Sequence, residues 1–266
     1  MFRKTLVFLV VLVAMMALLV SPAQAVKFGE PDNGEHPYVG LIVFYTEDGT
    51  PQWRCTGTLI SPTVMLTAGH CAELNGPATV WFAEDLTSAP GYPFYGGGDS
   101  VTGRSYTYPV WQGGLYLPNT GDAGVVVLDE PVDLPYYPSL APVNFLDDLA
   151  TQRGLKDVSF KVVGYGLQSV KPKESALRIR LKAYVQLVNL RSALTDGYNL
   201  HTTNNPGNGT GPGGTCFGDS GGAIFNSSNQ IVAVNSFVLN SNCNGASFGY
   251  RVDKADVQVW VMGFLE

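Results

Sequence analysis

Apolar residues in this chain come in short runs, broken every few positions by Gly, Pro, Asn and Asp. Runs at residues 39–45, 56–60, 64–67, 79–82, 124–128, 160–164, 179–188, 222–225 and 231–237 have the length and composition of strands. Long helical periodicity is nearly absent between them, so the pattern predicts an all-β sandwich or barrel. The exception is residues 253–264, where Ala255, Val259 and Met262 recur at helical spacing behind Asp253. That spacing predicts a short terminal helix capped by Asp253. Residues 89–103 and 202–215 hold so much Gly, Pro, Tyr and Asn that they read as surface loops.

The N-terminal end departs from this pattern. Arg3 and Lys4 precede an apolar stretch at residues 6–20, and Ala23-Gln24-Ala25 supplies a small-x-small cleavage site. The competing reading is a retained membrane anchor, but the run is shorter than the ~20 residues a spanning helix needs. Pro22 and the cleavage site follow it directly. Residues 1–25 are therefore expected to be a signal peptide, which places the mature protein outside the cytoplasm, secreted or periplasmic. Its removal leaves 241 residues, enough for one large β domain or two small ones. No membrane association is expected after cleavage.

Charge and cysteine content narrow the chemistry further. The formal net charge is −6, and loss of Arg3 and Lys4 takes it to about −8, so no basic patch invites nucleic acid. Four cysteines in an exported chain suggest two disulfides, with three connectivities open. The spacing lacks Cys-x-x-Cys pairs, which disfavours metal, and Glu84 and Asp85 read as a solvated turn rather than a calcium cage. Neither cofactor nor metal is expected. The sequons at Asn208 and Asn226 receive no functional assignment.

Three segments carry chemistry. Gly218-Asp219-Ser220-Gly221-Gly222 sets one hydroxyl on an unhindered turn, where backbone N–H groups can approach a carbonyl closely. The same cluster also fits an ordinary reversal. His70, in Thr67-Ala68-Gly69-His70-Cys71, sits at a strand end, and a neutral imidazole there accepts a hydroxyl proton near pH 7. His36 and His201 read as structural. Asp122, in Gly121-Asp122-Ala123-Gly124, stands at the entrance of an apolar strand, where it serves as a turn residue or as an acid that orients an imidazole.

With these motifs in the order His, Asp, Ser, the chain resembles the chymotrypsin and trypsin family of serine endopeptidases. The resemblance covers nearly the whole mature chain. It implies two six-stranded antiparallel β barrels, barrel one at about 26–140 and barrel two at about 141–252, with the site between them. It also implies disulfides Cys55–Cys71 and Cys216–Cys243. Ser220 would be the nucleophile, His70 the general base and then acid, Asp122 the orienting acid, and the N–H groups of Gly218 and Ser220 the oxyanion hole. Ser236 matches the family serine that hydrogen-bonds the aspartate. Phe237 replaces the usual tryptophan, and that strand edge is expected to bind substrate backbone.

The resemblance extends to activation and specificity. An apolar N-terminus would fold inward and pair with Asp219, and Val26 is the residue that signal cleavage exposes, although Lys27 and Phe28 depart from the family pattern. Gly214 stands where Lys- or Arg-specific members carry aspartate, and Val238 replaces a pocket glycine, with Phe248 or Gly249 opposite. The expectation is a monomeric secreted endopeptidase of protein or peptide substrates that prefers small or medium apolar side chains and is not Lys/Arg-specific. The alternative is a catalytically silent binding protein on the same fold.

Overall fold

The computed structural model describes residues 25–94, 97, 100–204 and 213–265. Residues 1–24, which hold most of the expected signal peptide, and the Asn208 sequon lie outside the described residues, as does the middle of the expected loop at 202–215. Among the described residues, thirteen strands build two sheets. Strands β2 (Val39–Tyr45), β3 (Pro51–Leu59), β4 (Val64–Thr67), β5 (Pro77–Trp81), β6 (Ser100–Thr107) and β7 (Gly124–Leu128) close into one barrel in the order β2-β3-β4-β7-β6-β5. Strands β8 (Ser159–Gly164), β9 (Leu181–Asn189), β10 (Asn199–Asn204), β11 (Ala223–Phe225), β12 (Ile231–Val238) and β13 (Gly245–Arg251) form the second, closed by antiparallel pairing of β8 with β9. The two six-stranded barrels expected from the sequence are thus present.

The strands are apolar at positions facing into each barrel, and several are buried on their outer face as well. In the first, Leu41, Ile42, Phe44, Met65, Leu66, Val80, Trp81, Val125 and Val126 are buried. In the second, Phe160, Val162, Leu181, Val185, Leu200, Ile224 and Val232 form the core. Side chains from the second barrel, among them Val163, Tyr165, Phe225, Val234 and Tyr250, also join the first barrel's cluster, so the two halves share apolar contact. Hydrogen bonds reinforce it. Arg180 is buried and donates to Asp32 Oδ2 at 2.9 Å and to the carbonyls of Val39 and Phe82 at 3.1 and 2.9 Å. His36 is held between Asp32 and the Lys161 amine, 3.0 Å from its Nε2, and His201 stacks on Phe248 at 4.5 Å. Both are structural, as the sequence indicated.

Several local expectations are corrected. The strand β1 (Glu30–Pro31) pairs with β9, so the segment counted with barrel one belongs by its contacts to barrel two. Strands β6, β10 and β13 occupy residues not assigned to strands from the sequence. In β6 only Gly103 and Ser105 are buried, which leaves a polar strand without the apolar signature used to find the others. A six-residue helix, α2 (Phe145–Ala150), was likewise unforeseen, while the one-turn α1 (Gly69–Ala72) carries His70.

The terminal helix α3 spans Ala255–Met262, begins after Lys254, and has no side-chain cap. Asp253 is engaged elsewhere, taking the Arg251 guanidinium at 2.8 and 2.7 Å and the Leu146 N–H at 2.8 Å. Its buried face is Val257 and Val261, whereas Val259 is 75% and Met262 51% exposed. The expected face therefore points to solvent. Val261→Ala should lower stability by about 1–3 kcal/mol through the cavity it leaves, and Val259→Ala should stay within about 0.5 kcal/mol, measured by urea unfolding.

Candidate active site

The site is assembled where the barrels meet. Strand β4 ends at Thr67, and α1 then turns His70 toward the cleft. The Cys55–Cys71 disulfide ties this turn to β3, and the Trp53 indole N–H donates to the Cys71 carbonyl at 2.9 Å. Just ahead of β7, Asp122 has no exposed surface. Its Oδ1 takes the His70 backbone N–H at 2.7 Å, and its Oδ2 lies 2.9 Å from His70 Nδ1. The Ser236 hydroxyl, from β12 of the second barrel, donates to the same Oδ2.

These contacts set the charges. Burial disfavours the Asp122 carboxylate, but the His70 imidazole and the hydrogen bonds from His70 and Ser236 outweigh it and hold its pKa below the usual value. Burial likewise opposes a charge on His70. The Asp122 carboxylate overrides that and raises the imidazole above its ordinary pKa. With Nδ1–H committed to Asp122, Nε2 is the nitrogen left to act as base.

Ser220 lies on a turn closed by Asp219 N–H to the Cys216 carbonyl and Gly222 N–H to the Asp219 carbonyl, both 3.0 Å. Gly218 has φ +99 and Gly221 φ +80, a region disfavoured for side chains, and a Cβ at Gly221 would collide with Thr67 and the Thr56 carbonyl. Barrel one grips this turn through Thr56. Its N–H donates to the Ser220 carbonyl at 2.9 Å and its hydroxyl to the Gly218 carbonyl at 2.8 Å. Among the described residues, the N–H groups of Gly218 and Ser220 meet no acceptor, which leaves two neighbouring donors unused. Ser220 and His70 line one cleft of about 270 Å³ without a hydrogen bond between them among the described residues. Such bonds commonly tighten only when substrate binds.

Phe237 and Val238 line the same cleft, as do Thr215, Asn235 and Ser247, which sequence reasoning passed over. Neither Phe248 nor Gly249 lines it; Phe248 is buried and stacked on Phe237 at 4.6 Å, and Ser247, paired across β12 and β13 with Val238, lines the cleft instead. Gly214 does not line it. The Gly214 N–H donates to the Lys27 carbonyl at 3.0 Å, and a Cβ there would collide with the Asn204 carboxamide. The Cys216–Cys243 disulfide braces the strand on this side. Val26 is buried in the second barrel's core, apart from the cleft. The Lys27 amine donates to the carbonyls of Asn242 and Cys243, each at 3.0 Å, and to the Asn244 side chain. Asp219 is buried and takes the N–H groups of Gly166 and Cys216 at 2.8 and 2.9 Å. Among the described residues it has no ion pair, and burial pushes its pKa up to about 7.

The sequence model of the Trypsin family matches residues 26–261. The chain belongs to the trypsin family. It is 26% identical over 217 residues to serine protease 1 of Drosophila melanogaster, covering 81% of this chain and 76% of that one. Ovochymase of Halocynthia roretzi is 27% identical over 180 residues, which is 63% of this chain and 10% of its own length. Among solved structures, HL collagenase superposes with a TM-score of 0.66 at 19% identity, covering 89% of this chain and 97% of that one. Human heparin binding protein gives 0.64 at 20% identity, covering 90% and 96%. At such identities these structures speak to the trypsin fold alone. No helix among the described residues is long and apolar enough to cross a membrane.

The His70 environment carries its own test. Activity should fall as pH drops through the His70 pKa, and that pKa should lie above the ordinary imidazole value of about 6.5. Asp122→Asn removes the cause and should lower kcat by about four orders of magnitude. A steady-state pH profile of both proteins checks this.

Proposed function

We propose that this trypsin-family protein is a secreted, monomeric serine endopeptidase that cleaves protein or peptide chains at uncharged side chains. The observation that carries the reading is the Asp122–His70 arm beside a serine turn with two unused N–H donors. In the proposed reaction His70 Nε2 takes the Ser220 hydroxyl proton as Oγ bonds to the substrate carbonyl carbon. The oxyanion that forms accepts the N–H groups of Gly218 and Ser220. As the peptide C–N bond breaks, His70 returns the proton to the leaving amine, leaving an acyl group on Ser220 that water removes by the same steps. The edge at Phe237 and Val238 would hold the substrate backbone as an added strand.

Activation is proposed to run through Val26. Its burial in the second barrel and the Lys27–Gly214 hydrogen bond hold the start of the mature chain beside the segment leading to Ser220. A free ammonium at Val26 would give Asp219 the cation it lacks, and a buried carboxylate without one is strongly disfavoured. The binding-protein alternative has a fold neighbour named for heparin. A net charge of −6 opposes a polyanion, and His70, Asp122 and Ser220 are all retained.

Two outcomes test these readings. A fluorophosphonate probe should label the exported protein once, and Ser220→Ala should abolish labelling; an unlabelled, correctly folded protein would favour a binding role. The second concerns Asp219, whose folded-state pKa of about 7 stands above the unfolded 3.8. The fold then binds this proton more tightly than the unfolded chain. With residues retained ahead of Val26, stability should decline as pH rises from about 4 to about 7. In a Ser220→Ala protein beginning at Val26 the ion pair should remove that decline. Equal slopes in urea unfolding of the two forms would contradict the pairing.

A further inference from the structure

Strand β12 is apolar from Ile231 to Val234 and then turns polar at Asn235. The Asn235 backbone is fully used: its N–H donates to the Gly222 carbonyl at 2.9 Å and its carbonyl accepts the Gly221 N–H at 2.8 Å. Its side chain is not. Asn235 is 3% exposed, and neither Oδ1 nor Nδ2 has a partner among the described residues. A buried amide left this way is costly, because it has given up water for nothing. Asn235 nevertheless belongs to the lining of the cleft beside Ser220, with both amide atoms covered, so an entering group that makes the lining give way can supply the missing bonds.

We infer that the cleft is built to receive a carboxamide-tipped side chain, glutamine above all, on the residue before the scissile bond, with Asn235 as the recognising group. This rests on the endopeptidase reading and names its substrate class. A carboxamide offers one acceptor and two donors, so it satisfies Asn235 Nδ2 and Oδ1 together. A carboxylate satisfies only Nδ2 and sets its own oxygen against Oδ1. An ammonium satisfies only Oδ1, and no acidic side chain lines the cleft among the described residues to neutralise it. An alkyl tip leaves both atoms orphaned. The remaining lining suits the rest of glutamine: Val238 and Phe237 present apolar surface to its methylenes. The hydroxyls of Thr215 and Ser247, paired at 2.6 Å, also border the cleft and offer further bonds to the tip. The preference for small apolar side chains expected from Gly214 and Val238 is thereby replaced, since the cleft is uncharged but not purely apolar.

The test is a matched peptide series with Gln, Glu, Leu, Ala or Lys before the scissile bond, cleaved by the exported protein and by Asn235→Val. Fluorophosphonate labelling of Ser220 is read alongside. The wild-type protein should cleave after Gln with the highest kcat/KM. Asn235→Val should lower the Gln-to-Leu ratio roughly 10- to 100-fold, the range expected when a buried amide loses its partner. Wild-type cleavage favouring Leu or Ala over Gln, with Ser220 labelled, would overturn this inference and leave the endopeptidase reading standing. So would a ratio indifferent to Asn235→Val, which is what an ordered water on Asn235 would produce. Absence of both labelling and cleavage would overturn the two together. Should the variant fail to fold, the wild-type ranking decides alone.

Discussion

Asp122 has no exposed surface, so its charge must be balanced by what the protein brings to it, and those partners come from both barrels. His70 approaches from the turn after β4 and Ser236 from β12, so the relative position of the barrels is written into the coordination of one carboxylate. Moving either barrel would strip a partner from a buried anion, which is far costlier than loss of a surface contact. The same contacts set the chemistry, because they commit Nδ1 to Asp122 and leave Nε2 as the nitrogen not bound to it.

The serine turn depends on the same seam. It belongs in sequence to barrel two, yet Thr56 of barrel one holds the carbonyls of Gly218 and Ser220. The N–H groups of both residues have no acceptor among the described residues. Asp219 adds a second buried carboxylate in the turn itself, answered among the described residues by the N–H groups of Gly166 and Cys216. The two acids differ in consequence: Asp122 is partnered by His70 and Ser236, which hold its pKa below the usual value, whereas burial raises that of Asp219 to about 7.

Much of this was legible in residue order. His70, Asp122, Ser220 and Gly218 stood out as candidates because the proposed chemistry demands particular residue types at turns and strand ends. Both disulfide pairings followed from the family resemblance. What escaped was information carried by long-range packing. Strand β6 shows no apolar run because barrel closure, rather than burial, recruits it. The face of α3 was misread since Ala255, Val259 and Met262 and the pair Val257 and Val261 both fit a helical period, and only the barrel beneath chooses. Gly214 lies near the cleft in sequence but is turned toward Asn204 by its bridge to Lys27. Asn235 was legible as a polar residue interrupting an apolar strand, whereas its neighbour Ser236 came from the family resemblance.

The central claim is that Asp122 and His70 activate Ser220 for acyl transfer. Trapping the acyl group tests it most directly. The protein would be mixed with an activated ester, quenched at low pH where protonated His70 cannot assist deacylation, and analysed by intact and peptide mass. The account predicts a single acyl adduct on the peptide bearing Ser220, absent in Asp122→Asn quenched at the same time. No adduct, or an adduct on another side chain, would contradict it.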